Sequence, residues 1–158
     1  MPGQLRMTRC SVKYLAITSL ITVLWLGNAV AEPVHVDVEK NANCGCCQSW
    51  MDHLEHSGFE VAAHNLDGDA LHQSKLDKGL TSDLFACHTG TVDGYVIEGH
   101  VPADDIARLL LERPDAIGLA VPGMPVGSPG MEFGHDKEAY DVLLVRRDGT
   151  TEIFASHH

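Results

Sequence analysis

The sequence predicts a single α/β domain with a mixed sheet and flanking helices, and three observations carry that prediction. Val34-His35-Val36-Asp37-Val38 alternates apolar and polar side chains, the period-2 pattern of a half-buried strand. A helical period follows: Cys47, Trp50, Met51 and Leu54 fall on one face, and Asp52, Glu55 and His56 point outward. Residues 59–66 then read as a second strand. Strand, helix and strand in that order predict a parallel pair joined by a right-handed crossover.

The remaining elements follow in order. Asn43 is the expected N-cap of the first helix, residues 46–57, and Gly58 its stop. Asp67-Gly68 marks a turn, and residues 69–78 form a moderate helix ended by Gly79. Cys87 lies in a short apolar segment, residues 84–88. Beyond the Asp93-Gly94 turn, residues 95–98 read as an antiparallel partner. Pro102 opens a helix whose N-terminal dipole is complemented by Asp104 and Asp105. Ile106, Leu109 and Leu110 form its apolar face, and Arg113-Pro114 ends it. Residues 118–134 are rich in Gly and Pro and long enough to be a functional loop. Two final strands, 141–147 and 151–155, flank an Asp148-Gly149 turn. A βαβ unit followed by a hairpin and a helix suggests a thioredoxin-like domain.

The N-terminus differs in kind. Residues 1–31 contain Arg6, Arg9 and Lys13 and no acid, then the apolar run from Leu15 to Leu26, then Ala29-Val30-Ala31. A basic start, an apolar middle and a small-x-small site make a secretory signal peptide, so the protein is expected to be exported into an oxidising compartment. The run is short and carries Thr18, Ser19 and Thr22, which disfavours the alternative of an uncleaved membrane anchor. The membrane is therefore expected to be met only through this segment, before cleavage. Residues 32–158 are enough for one domain with a real core. The segment removes three of the 11 Lys+Arg and none of the 22 Asp+Glu, so the mature chain is more acidic than the overall −11. Such a surface repels nucleic acid.

Cysteine usage points to chemistry. Cys44, Cys46, Cys47 and Cys87 remain after cleavage, with all 10 histidines. A disulfide scaffold spreads its cysteines to close long loops, whereas three of these sit within four residues. Cys44 and Cys47 have the C-x-x-C spacing of redox pairs, at a helix N-terminus where backbone N–H groups stabilise a thiolate. Such a thiolate can attack a disulfide or bind a soft metal. The additional Cys46 favours metal, because dithiol exchange needs two sulfurs and a third invites wrong pairings. Thiolates and thioethers select Cu(I), and imidazole suits copper and zinc alike. His88, next to Cys87, adds a nitrogen donor. On the 118–134 loop, Met124 and Met131 read equally well as soft ligands, as a plug over the site, or as ordinary gap-fillers. His53, His56, His64 and His72 are most economically solvent-facing, and His100 most economically structural. No Gly-x-Ser-x-Gly elbow, phosphate loop or His-Glu-x-x-His pair is present, so hydrolysis is not expected.

Three motifs in order resemble one bacterial family. They are Lys40-x-x-x-Cys44-Gly45-Cys46-Cys47-x-x-Trp50, then Cys87-His88-Thr89 with Val92-Asp93-Gly94-Tyr95-Val96-Ile97-Glu98-Gly99-His100-Val101-Pro102, then Met124-Pro125-x-Gly127-Ser128-Pro129-Gly130-Met131-Glu132. The family is that of small periplasmic metal-binding proteins which includes the copper-resistance protein CopG. The resemblance implies a thioredoxin-like fold holding copper, with Cu(I) favoured, as a multinuclear thiolate cluster. Its implied metal ligands are Cys44, Cys46, Cys47, Cys87 and His88, with Met124 and Met131 at the family's Met-loop positions and His100 a further candidate. The implied partners are copper ions and other periplasmic copper-handling proteins. Cycling between Cu(I) and Cu(II) is a further expectation from the frame. The alternative is a thiol–disulfide oxidoreductase using Cys44 and Cys47.

Overall fold

The computed structural model describes residues 32–158; the expected signal peptide lies outside the described residues. Seven strands form one mixed sheet in the order β2-β1-β3-β4-β5-β6-β7. The strands are β1 His35–Lys40, β2 Glu60–Asn65, β3 His88–Val92, β4 Tyr95–Glu98, β5 Gly118–Ala120, β6 Tyr140–Val145 and β7 Thr151–His157. Helices α1 Gly45–His56, α2 Gly68–Asp77 and α3 Ala103–Glu112 connect them. Pairs β1–β2 and β4–β5 are parallel and each encloses a helix, while all other neighbours are antiparallel. This is the mixed, thioredoxin-like α/β arrangement that the order of sequence patterns predicts. Among the described residues no helix is long and apolar enough to cross a membrane.

Strand periodicity divides the core between the sheet's two faces, since successive side chains point to opposite sides. Ile97, Leu119 and Leu144 join the larger cluster with Val36, Val38, Trp50, Leu54, Ile106 and Leu109. Their neighbours Val96, Ala120 and Val145 join Leu80 and Leu84 in a smaller one. The larger cluster binds α1 and α3 to the sheet and so fixes the N-terminus of α1 in space. Cys47, Trp50, Met51 and Leu54 are the buried residues of α1, the face its spacing predicts.

Three local features differ from the sequence reading. The N-cap of α1 is Cys44 rather than Asn43, because the Cys44 N–H closes a turn onto Asn41 O and its side chain accepts the Cys47 N–H; the helix itself starts at Gly45, one residue before the expected 46. Strand β3 begins at His88 and runs through Thr89-Gly90-Thr91; Ser82–Leu84 form a 3-10 turn, and Cys87 occupies the link between the two. Within the Gly/Pro-rich stretch, Gly118–Ala120 is a strand. Gly118 is required there, since a Cβ would strike the backbone of Val96 on β4.

Candidate metal centre

The centre is assembled from the N-terminus of α1, the link before β3 and the residues that follow β4. Cys44 and Cys47 are joined by a disulfide, and the Cys47 N–H donates to Cys44 Sγ at 3.3 Å, capping the helix. Cys46, one residue inside the helix, lies 3.5 Å from Cys44 Sγ and 3.7 Å from Cys87 Sγ. Cys87 Sγ in turn is 3.3 Å from His88 Nδ1 and 3.2 Å from His100 Nε2. Two donor groups result, Cys44–Cys46–Cys47–Cys87 and Cys87–His88–His100, each with its ligand atoms within 4.8 Å of one another. Cys87 belongs to both.

His88 and His100 are completely buried. His100 Nδ1 lies 2.8 Å from the Pro129 carbonyl, which can only accept, so Nδ1 carries the proton. In the neutral ring the lone pair is then on Nε2, directed at Cys87. His88 Nε2 has no hydrogen-bond partner. Its ring packs against Trp50 at a centroid separation of 4.2 Å, and Trp50 Nε1 donates to the Val101 carbonyl at 2.8 Å.

Burial sets the protonation states. Cys87 is pushed up to about 12, first by burial and then by the neighbouring Cys46. Burial holds His88 well below the ordinary imidazole value, with His100 and Lys75 adding to the effect, and it lowers His100 too. Near neutral pH the site therefore presents neutral imidazoles and a protonated Cys87 thiol. His88 Nδ1 and His100 Nε2, each within 3.3 Å of Cys87 Sγ, are imidazole nitrogens beside sulfur donors, a set that suits a soft metal ion, which would displace the thiol proton. Cys44 and Cys47 join that donor set as thiolates only after their disulfide is reduced.

The loop between β5 and β6 covers the centre. Pro129 holds His100, and Gly130 (φ +84°) approaches α1 so closely that a Cβ would lie 2.7 Å from Trp50 N and 2.9 Å from the Cys46 carbonyl. Met131 is buried in this loop, whereas Met124 is half-exposed. The structure thus brings Cys44, Cys46, Cys47, Cys87 and His88 together with His100, which the residue pattern read as structural and the family resemblance carried as a further candidate. The signal was present in the hairpin register. Thr89 pairs with Glu98 across the Asp93-Gly94 turn, and continuing the ladder outward puts Cys87 opposite His100.

Comparison with solved structures places these motifs. A structure described as copper resistance protein CopG, form 2, is 46% identical, covers 80% of this chain and 100% of its own, and superposes with a TM-score of 0.75. Form 1 is 47% identical over 80% of this chain and 98% of its own, with a TM-score of 0.74. The chain belongs to the CopG family. A family model described as "Protein of unknown function, DUF411" matches residues 84–131, which takes in Cys87, His88, His100 and both loop methionines but not the α1 cysteines. None of the curated proteins compared with the chain matches it. In CopG-family terms, the sequence resemblance named the right relatives.

Proposed function

We propose that the protein binds copper in the periplasm as part of copper tolerance, holding Cu(I) as cargo in a multinuclear thiolate site. The observation that carries this reading is a pair of adjoining donor groups, one of four cysteine sulfurs and one of Cys87 with two buried imidazoles, with Cys87 common to both. Sulfur donors favour Cu(I) over harder cations, and a shared thiolate can bridge two ions. The naming of its relatives as copper resistance proteins supports copper over other soft metals. Met131 and Met124 would supply thioethers from the covering loop. The basic, apolar and small-residue segments of residues 1–31 support export. Cycling to Cu(II) belongs to the same reading; it requires a shift toward nitrogen donors, which His88 and His100 offer. Delivery to or from other periplasmic copper-handling proteins is part of it as well.

The Cys44–Cys47 disulfide at the start of α1 favours a second reading, thiol–disulfide exchange at that pair. One experiment separates the two. The reduced protein lacking residues 1–31 is titrated anaerobically with Cu(I) against a competing chelator, and bound copper and free thiols are counted. More than one copper per chain with all four thiols protected is the expected result. No binding above the chelator, with rapid return of the Cys44–Cys47 disulfide, would overturn it in favour of exchange.

A further inference from the structure

A fully buried carboxylate lies beside the centre without belonging to its donor set. Glu98 is 0% exposed at the end of β4, and its counter-ion Lys75, on α2, is nearly as buried. Lys75 Nζ donates to Glu98 Oε1 at 2.5 Å and to Thr89 Oγ1 at 2.8 Å. The same Oε1 accepts the Ala86 N–H at 2.6 Å, and Oε2 accepts the Thr89 hydroxyl at 2.6 Å. Ala86 immediately precedes Cys87, and Thr89 immediately follows His88. One carboxylate therefore grips the Cys87–His88 dipeptide on both sides.

The surroundings are built to the same end. Gly99 (φ +74°) follows Glu98 and donates its N–H to the His88 carbonyl at 3.1 Å, and the next residue is His100. A Cβ on Gly99 would come within 2.7 Å of Ala86 Cβ, so only glycine lets the link before β3 lie this close to β4. A buried ion pair is weak evidence for stability, because desolvation offsets most of its attraction. Here its hydrogen bonds go to the Ala86 backbone N–H and the Thr89 hydroxyl, one on each side of two candidate ligands.

We propose that Glu98, held by Lys75, is a positioning residue for the metal centre: it fixes Cys87 and His88 against the sulfurs of α1. This rests on the copper reading for its consequence, though the placement of Cys87 can be tested without metal. The variant K75M/T89V/E98L removes the network with side chains of similar size; K75M/E98Q removes the charges but keeps an acceptor for the Ala86 N–H. Cu(I) affinity by chelator competition, the thermal midpoint, and the rate at which diamide forms a Cys46–Cys87 disulfide in metal-free protein are measured for each. The apolar variant should unfold near the wild-type midpoint yet bind Cu(I) about 10- to 100-fold more weakly. It should also cross-link more slowly, and K75M/E98Q should recover most of both losses. Wild-type affinity and cross-linking in the apolar variant would overturn the proposal, as would losses that simply track the midpoint in both variants. If the apolar variant does not fold, T89V alone decides: weaker binding and slower cross-linking at an unchanged midpoint support the role, and unchanged values refute it. Should the wild type bind no Cu(I), the copper reading fails while the cross-linking rates still judge the placement.

Discussion

Cys46 Sγ lies 3.7 Å from Cys87 Sγ, although 41 residues separate them. Neither cysteine is in the disulfide. The contact joins the N-terminus of α1 to the end of the β3–β4 hairpin, and it links the sulfur-rich half of the centre to the imidazole half. A lone C-x-x-C pair in a redox domain has no need of either residue.

Cys46→Ser tests that link. Cys46 is only part-buried and is not in the core, so folding free energy should change by no more than about 0.5 kcal/mol. Copper bound at saturation should fall by at least one ion per chain, as read by metal analysis after anaerobic loading. An exchange enzyme acting through Cys44 and Cys47 would instead keep its activity, and unchanged copper content would remove Cys46 from the site.

Gly130→Ala should damage the cover. At φ +84° an L side chain is strained, and here the new Cβ meets backbone atoms of Trp50 and Cys46 that cannot swing aside. Urea unfolding should show a loss of about 1–3 kcal/mol. Alkylation of Cys46 and Cys87 in the folded, metal-free protein should become faster as the loop lifts from α1. A variant as stable and as slow to react as the parent would mean that the loop is not held by this approach.

Much of this architecture is legible before any coordinates. The 3-, 4- and 7-residue spacing of Cys47, Trp50, Met51 and Leu54 gives the buried face of α1, and Asp93-Gly94 gives the hairpin. Local pattern fails where tertiary pairing decides. Strand β5 is three residues long and exists because β4 and β6 pair with it on either side. Strand β3 is buried at most positions, so Thr89-Gly90-Thr91 shows no alternation to mark it. His100 is isolated in sequence and reaches Cys87 only through the hairpin register.

Acid should destabilise the metal-free protein. His53 accepts the N–H of Ala103 at the start of α3, and burial lowers it below the ordinary value of 6.5; burial also lowers His88 and His100. A folded-state value below the unfolded one means that the unfolded chain takes up protons first. Stability is then full above about pH 6.5 and falls as pH drops from there through the folded-state values. Each fully buried imidazole contributes up to about 1.4 kcal/mol per pH unit, and half-exposed His53 less, because solvent screens it. Urea midpoints at pH 7.5 and 5.5 check this, with a lower midpoint expected at pH 5.5. His53→Gln should flatten part of the slope; a midpoint independent of pH would contradict the assignment.

Reduction should govern copper capacity. With Cys44 and Cys47 joined, only Cys46 and Cys87 among the described residues can become thiolates; reduction offers all four sulfurs of the centre. Protein prepared without reductant should therefore bind fewer Cu(I) ions than the same protein after reduction and removal of the reductant. Cys44→Ser/Cys47→Ser should hold the lower capacity under both conditions. Because Cys87 is pushed up to about 12 in the metal-free state, loading must also expel its proton. Weakly buffered solution should acidify on copper addition, and binding should weaken as pH falls. Equal copper content before and after reduction would mean that Cys44 and Cys47 stand outside the metal site, and would return weight to exchange at that pair.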